Sequence, residues 1–239
     1  MAMTSLWGRR YASPKRGDYM RVYHFMNSKY GLQALRRKRL KLALIDQLND
    51  PFELLGIASR DPEERKAFAE VKAGLAKYSG MLCFSGKWSN PVQWSHYSDR
   101  HRGLCLGFEV PDEMLTPVKY RAKRLRPDPR IINEMRAESP AAQEMMLQLV
   151  TTKFSHWRYE NEYRLFVQLE EKDEKGLYFA DFSDKLVLCE VIVGSAATIS
   201  RAKLKSALGR AAKHVVVCKA RLAFQSFRVV KQRRDALWK

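Results

Sequence analysis

Apolar residues in this chain come in short runs of strand length, and that pattern limits the folds open to it. MRVYHFM at 20–26, GMLCFS at 80–85, LCLGFEV at 104–110 and LVLCEVIVG at 186–194 each fit a β-strand and are bounded by turn residues. LKLALI at 40–45, ENEYRLFVQL at 160–169 and LYFADF read as further strands, and HVVVCKARLAF and FRVV close the series. Helical patterns lie between them. Ser28 is the expected N-cap of KYGLQALRRKR, which places Tyr30, Leu32 and Leu35 near one face. DPEERKAFAEVKAGLAKY at 61–78 opens with acids and ends near lysines, as the helix dipole favours. Residues 129–154 form a helical stretch broken near Ser139-Pro140, and SRAKLKSALGRAAK at 200–213 is a basic helix capped by Ser200. The pattern predicts α+β architecture: a single domain of mixed or antiparallel strands with helical insertions.

Several classes drop out. No apolar run approaches the roughly 20 residues of a membrane-spanning helix. The 5 Trp, 10 Tyr and 11 Phe in 239 residues are too much apolar mass for a solvated coil. The start, MAMTSLWGRRYASPKRGDYM, has no apolar segment of a secretory signal. Cys83, Cys105, Cys189 and Cys218 each sit inside an apolar run without metal-ligand spacing, so they read as reduced core residues of a cytoplasmic protein.

The formal charge of +18 is unevenly spread: residues 1–41 carry +10, residues 201–239 carry +11, and the body between them carries −3. KYRAKRLRPDPR at 119–130 adds a local patch. The expected organisation is a flexible basic arm at 1–19, a domain over 20–230 and a basic tail at 231–239. Basic ends around a nearly neutral body suit a polyanion, so the expected partner is nucleic acid, RNA or DNA, and not a membrane.

Four segments hold the chemistry-bearing residues. In Tyr23-His24-Phe25, strand alternation turns His24 away from its two neighbours; a hydrogen-bonded core histidine is the plain alternative. In Asn49-Asp50-Pro51-Phe52-Glu53, turn chemistry is the main expectation for Asp50. Between Cys83-Phe84-Ser85 and Trp94-Ser95-His96-Tyr97, Trp88, Trp94 and Tyr97 could wall a planar ring, and a spacing of three puts Trp94 and Tyr97 on one helical face. Ordinary core packing competes with that reading. In Trp157-Arg158-Tyr159-Glu160-Asn161-Glu162-Tyr163-Arg164, strand geometry puts Glu160, Glu162 and Arg164 on one face. Two carboxylates so close require a cation or a ligand, or Glu162 and Arg164 are simply ion-paired. A carboxylate beside a sugar stabilises an oxocarbenium-like transition state. Phosphate-loop, dinucleotide-fingerprint, zincin and nucleophile-elbow motifs do not occur.

Together these segments, with Arg102-Gly103-Leu104-Cys105-Leu106-Gly107-Phe108 and Glu190-Val191-Ile192-Val193-Gly194, resemble the DUF2971 family over roughly residues 20–195. A more distant resemblance is to the ADP-ribosyltransferase fold, through His24 on an early strand, Tyr97 or Ser85 in the middle, and Glu162 opening a late apolar strand. No Ser-Thr-Ser stands in the middle segment. That resemblance implies an NAD-dependent ADP-ribosyltransferase, a toxin or antiphage defence effector acting on nucleic acid or protein, with an antitoxin or defence partner and with NAD as substrate. It implies that His24 bonds the adenosine-side ribose, that Tyr97 stacks on nicotinamide, and that Glu162 bonds the nicotinamide ribose and steadies the cation. Glu160 then orients the acceptor. Tyr23, Ser85 and Trp94 complete the implied NAD site, and no metal is expected there. Two other readings remain: a nuclease holding Mg²⁺ with Asp50, Glu53, Glu160 and Glu162, and a nucleic-acid-binding protein without catalysis.

Overall fold

The computed structural model describes residues 18–45, 48–50, 52, 58–126 and 139–238; residues 1–17 of the expected arm, Glu53 and the first part of the 129–154 stretch lie outside them. The strands are β1 (Tyr19–Met26), β2 (Arg39–Lys41), β3 (Ala43–Leu44), β4 (Ser79–Ser85), β5 (Leu104–Pro111), β6 (Thr116–Pro117), β7 (Lys119–Arg121), β8 (Thr152–Phe154), β9 (Glu162–Gln168), β10 (Phe179–Asp181), β11 (Val187–Val193), β12 (Val216–Leu222) and β13 (Val229–Lys231). The helices are α1 (Ser28–Arg37), α2 (Pro62–Tyr78), α3 (Pro91–Tyr97), α4 (Pro140–Val150) and α5 (Arg201–Leu208).

Among the described residues, nine strands join one sheet in the order β13-β12-β11-β5-β1-β4-β9-β6, with β3 beside β4. Its pairs are antiparallel except β11 with β12, which α5 connects. This is the expected α+β fold with a mixed sheet. β1 lies in its middle because both faces of the strand are claimed by apolar neighbours. It pairs with β5 along its whole length, Tyr19↔Pro111 to Met26↔Leu104. Its other edge meets β4 at one register only, Tyr23↔Ser85. Beyond that point the sheet forks. β4 instead pairs fully with β9, Ser79↔Gln168 to Ser85↔Glu162.

Period-two alternation fills both sides. Leu104, Leu106, Phe108 and Val110 share a core with Val22, Phe84, Val191 and Val193, covered by Leu32 and Leu35 of α1 and Leu204 and Leu208 of α5. Cys105 and Ile192 face the other way, with Trp94, Cys218, Ala220 and Val229. A third cluster sets Phe68 of α2 and Met146, Leu149 and Val150 of α4 against Met81. Gly107 sits opposite Tyr23, and a methyl group there would stand 3.2 Å from the Tyr23 ring; the bare backbone lets that ring lie across β5.

Several local expectations are corrected. The cap of α1 is Asn27, whose side chain accepts the Tyr30 N–H at 2.9 Å, not Ser28. The 40–45 run divides into β2 and β3, which pair with β10 and β4 respectively. Of the 129–154 stretch, the described residues are helical over α4, and the β-branched Thr152 then opens β8. Among the described residues no helix is long and apolar enough to cross a membrane. The four cysteines form no disulfide; Cys105 and Cys218 are buried, and Cys83 and Cys189 half-buried.

Candidate active site

The fork between β1 and β4 is where the polar residues converge. His24 Nδ1 lies 2.9 Å from the Cys83 carbonyl oxygen, so the imidazole takes up a bond that a strand neighbour would otherwise make. A carbonyl only accepts, so Nδ1 carries the proton. Burial lowers the His24 pKa. The ring is therefore neutral at pH 7, and Nε2 is an acceptor.

A cavity of about 210 Å³ opens beside this ring, lined by Tyr23, His24, Ser85, Tyr97, Glu160 and Glu162, and also by Asn49, Gln93, Lys153 and Arg164. Every residue of the implied NAD site but one thus meets in a single hollow. The exception is Trp94, which is fully buried in the core, edge-on to Phe25 with ring centroids 5.2 Å apart. Its indole N–H donates to the Trp88 carbonyl at 2.6 Å. The three-residue spacing from Trp94 to Tyr97 does not bring both to the cavity, because α3 is short and wedged between the core and the hollow.

A second recess of about 490 Å³ shares His24 and Ala43 with the first. Its rim carries Lys29, Arg37, Arg39, Lys41 and Lys175, against the single acid Asp173, which pairs with Arg39 at 3.2 Å. The site is therefore divided: one end holds carboxylates, the other is strongly cationic.

The carboxylates reach the cavity by an unexpected route. Glu160 is not on the strand; it ends a 3-10 turn (Ser155–Glu160). Asn161 follows with φ of 47°, in the left-handed region that Asn tolerates better than most residues, and β9 begins at Glu162. The Glu160 carbonyl is held by Ser85 Oγ and Gln93 Nε2, each at 2.7 Å. Asn90, the cap of α3, donates to the Tyr159 carbonyl at 3.1 Å and ties that helix to the same turn.

Charge is shared closely here. Lys153 Nζ donates to Glu160 Oε2 at 2.6 Å and to Glu162 Oε2 at 3.1 Å. Arg164, fully buried, donates from Nε to Glu162 Oε1 at 2.9 Å and from Nη2 to Oε2 at 3.2 Å. The same-face pair of Glu162 with Arg164 is therefore present, and the hollow lies beside it. Arg164 and Lys153 hold the Glu162 carboxyl down to about 2 despite its burial. Burial raises Glu160 instead, against the pull of Lys153. The Tyr97 hydroxyl donates to Glu160 Oε1, and burial together with that carboxylate pushes the phenol pKa up. Burial and Glu190 push Tyr23 up to about 12.

Asp50 behaves as a turn residue: its carboxylate accepts the Phe52 N–H at 2.9 Å. Among the described residues, no group of three or more His, Cys, Asp and Glu is placed to hold a metal ion. Glu53 lies outside those residues. Sequence reasoning missed Lys153, Gln93 and the cations of the second recess. Lys153 had a signal: it is the only lysine or arginine between Pro140 and Trp157.

Residues 93–165 match the model of a family described as "Protein of unknown function (DUF2971)". The match bears out that resemblance over a stretch running from Gln93 to just past Arg164, with His24 and Ser85 outside it. Comparison with curated proteins and with solved structures found no match.

Proposed function

For a chain similar to the DUF2971 family over residues 93–165, we propose transfer of ADP-ribose from NAD to an acceptor. One observation carries this: three neighbouring strands, β1, β4 and β9, deliver His24, Ser85 and Glu162 to one hollow, in the order the transferase resemblance implies. The divided charge fits the substrate. Together the two spaces come within the roughly 300–1,000 Å³ of small-molecule sites, and the cationic recess suits the pyrophosphate.

His24 Nε2 accepts from a ribose hydroxyl of the adenosine half. Tyr97 offers its ring face to nicotinamide. Glu162 stays ionised, and a carboxylate oxygen accepts more than one bond, so its ion pairs orient it while it accepts the nicotinamide-ribose hydroxyl. The C1′–N bond then breaks, its electron pair leaving with nicotinamide. The ribosyl cation, steadied by Glu162, takes a lone pair from the acceptor. Glu160, whose raised pKa brings it nearer neutrality, receives the acceptor proton.

The test is nicotinamide release and label transfer from radiolabelled NAD in cell extract, wild type against Glu162→Gln. The expected result is turnover by the wild type and a loss of about 100-fold or more in the variant. A wild type that neither releases nicotinamide nor transfers label overturns the proposal. Growth arrest on expression, relieved by Glu162→Gln, would support action as a toxin or defence effector. The double ion pairing of Glu162 favours a second reading, a nucleotide-binding protein without turnover; saturable NAD binding with no nicotinamide release selects it.

A further inference from the structure

The sheet edge formed by β13 carries a second unusual surface. β12 and β13 are joined by residues 223–228, and the tip presents Phe224 and Phe227 at 91% and 98% exposure. A single exposed ring needs no explanation, but two on one loop tip form apolar surface of the kind that marks an interaction site. They are not on a fraying segment. Ala223 N–H donates to the Arg228 carbonyl at 2.9 Å, and Val229 N–H donates to Ser89 O at 2.8 Å, fixing the hairpin base to the loop that leads into α3.

The surroundings are cationic. From His214 to Arg234 the chain has six bases and no acid. The Arg221 guanidinium lies over the Phe224 ring, 4.6 Å from its centroid. Arg228, Lys231, Arg233 and Arg234 are exposed. A recess of about 270 Å³ beside β12 and β13 is lined by Lys219, Lys231 and Arg234, together with Arg201. Its one acid, Asp235, is paired with Arg201 at 2.8 Å.

We propose that the β12–β13 hairpin docks single-stranded nucleic acid, with unstacked bases on Phe224 and Phe227 and phosphates along Arg228, Lys231, Arg233 and Arg234. An exposed ring accepts a base on the face that no side chain covers, and a duplex keeps its base faces closed within its stack. A polar, cationic recess further along the same two strands follows a phosphate backbone. A lipid surface would call for a broader apolar face than the two rings and Leu222. This surface is independent of the chemistry proposed for the cavity.

The test uses the full chain and a short fluorescein-labelled oligouridylate, read by anisotropy between about 50 and 200 mM salt. Wild type binds, with affinity falling as salt rises. Phe224→Ala/Phe227→Ala weakens binding by about thirtyfold or more, the loss of two base–ring stacks, and leaves the salt slope unchanged. Arg233→Gln/Arg234→Gln lowers the slope by about 1, at roughly 0.7 per phosphate on a single strand. Thermal unfolding checks that both variants, altered only at exposed positions, are folded. Wild-type affinity in the double Phe variant overturns the proposal. So does equal binding of a blunt duplex with the same Phe dependence, or binding to phosphatidylserine vesicles that the Phe variant loses while oligouridylate binding is unaffected.

Discussion

Lys153 Nζ lies 2.6 Å from Glu160 Oε2, with the two side chains 9% and 7% exposed. The same ammonium reaches Glu162, so one cation from β8 is shared by two carboxylates that the chain sets two residues apart, with Arg164 on the second. Replacing it leaves both acids buried with less compensation. Lys153→Met is expected to lose about 3 kcal/mol of stability at neutral pH, the scale for breaking a buried pair. Without the ammonium Glu160 takes up a proton more readily, so the loss shrinks as pH falls. Urea titrations at pH 8 and pH 5 measure both; an equal loss at the two would contradict the shared-cation account.

Acid should act on the two carboxylates in opposite senses. Glu162 titrates at about 2 in the folded protein and near 4.5 unfolded. Its contribution is complete above 4.5 and is lost as pH falls toward 2, a total of about 3 kcal/mol at 1.36 kcal/mol per unit. Glu160 is shifted upward. Its contribution is present below 4.5 and is lost as pH rises through its folded value. Unfolding free energies of wild type and Glu162→Gln from pH 2 to 6 separate them: the acid-side slope attributable to Glu162 vanishes in the variant.

Asn161 is the hinge of the acidic pair. Its φ of 47° suits Asn or Gly, and a β-carbon on the adjoining Gly86 would come within 2.3 Å of its amide nitrogen. Asn161→Ala is expected to cost about 1 kcal/mol through the left-handed backbone. Asn161→Gly should cost less. If the alanine variant unfolds at the wild-type temperature, the strain is absorbed elsewhere.

In the cationic recess, Arg37 and Lys41 are exposed at the rim. Arg37→Gln/Lys41→Gln should raise KM for NAD about tenfold, one charged hydrogen bond's worth, with kcat within about twofold. A fall in kcat at unchanged KM would place these cations outside pyrophosphate binding.

Trp94 and Tyr97 separate core from site. Trp94→Ala is expected to destabilise by about 3–5 kcal/mol. Tyr97→Phe removes a hydroxyl bond that holds Glu160 down, so NMR titration should find the Glu160 pKa higher still.

The strands were legible because alternation alone assigns their faces: Leu104, Leu106 and Phe108 against Cys105, or Val191 and Val193 against Ile192. The gathering of His24, Tyr97, Glu160 and Glu162 was implied only by the transferase resemblance, since residue type and order do not say that strands so far apart in the chain share one hollow. The fork had no signal, since nothing in Tyr23 or Ser85 says that β1 and β4 meet at one register. Glu160 was assigned to the strand because period-two reasoning runs through Asn161 unless its backbone conformation is known. The recess cations were invisible for another reason: Lys29, Arg37, Arg39 and Lys41 come together with Lys175 only after β2 pairs with β10.

The central place of β1 also has a consequence for synthesis. As the nascent chain emerges, the strand destined for the middle of the sheet appears before either of its partners, with both of its edges bare until residues 79–85 and 104–111 follow. The domain is therefore completed from the inside outward, and a chain stalled before residue 104 would expose the open edges that recruit chaperones or seed aggregation.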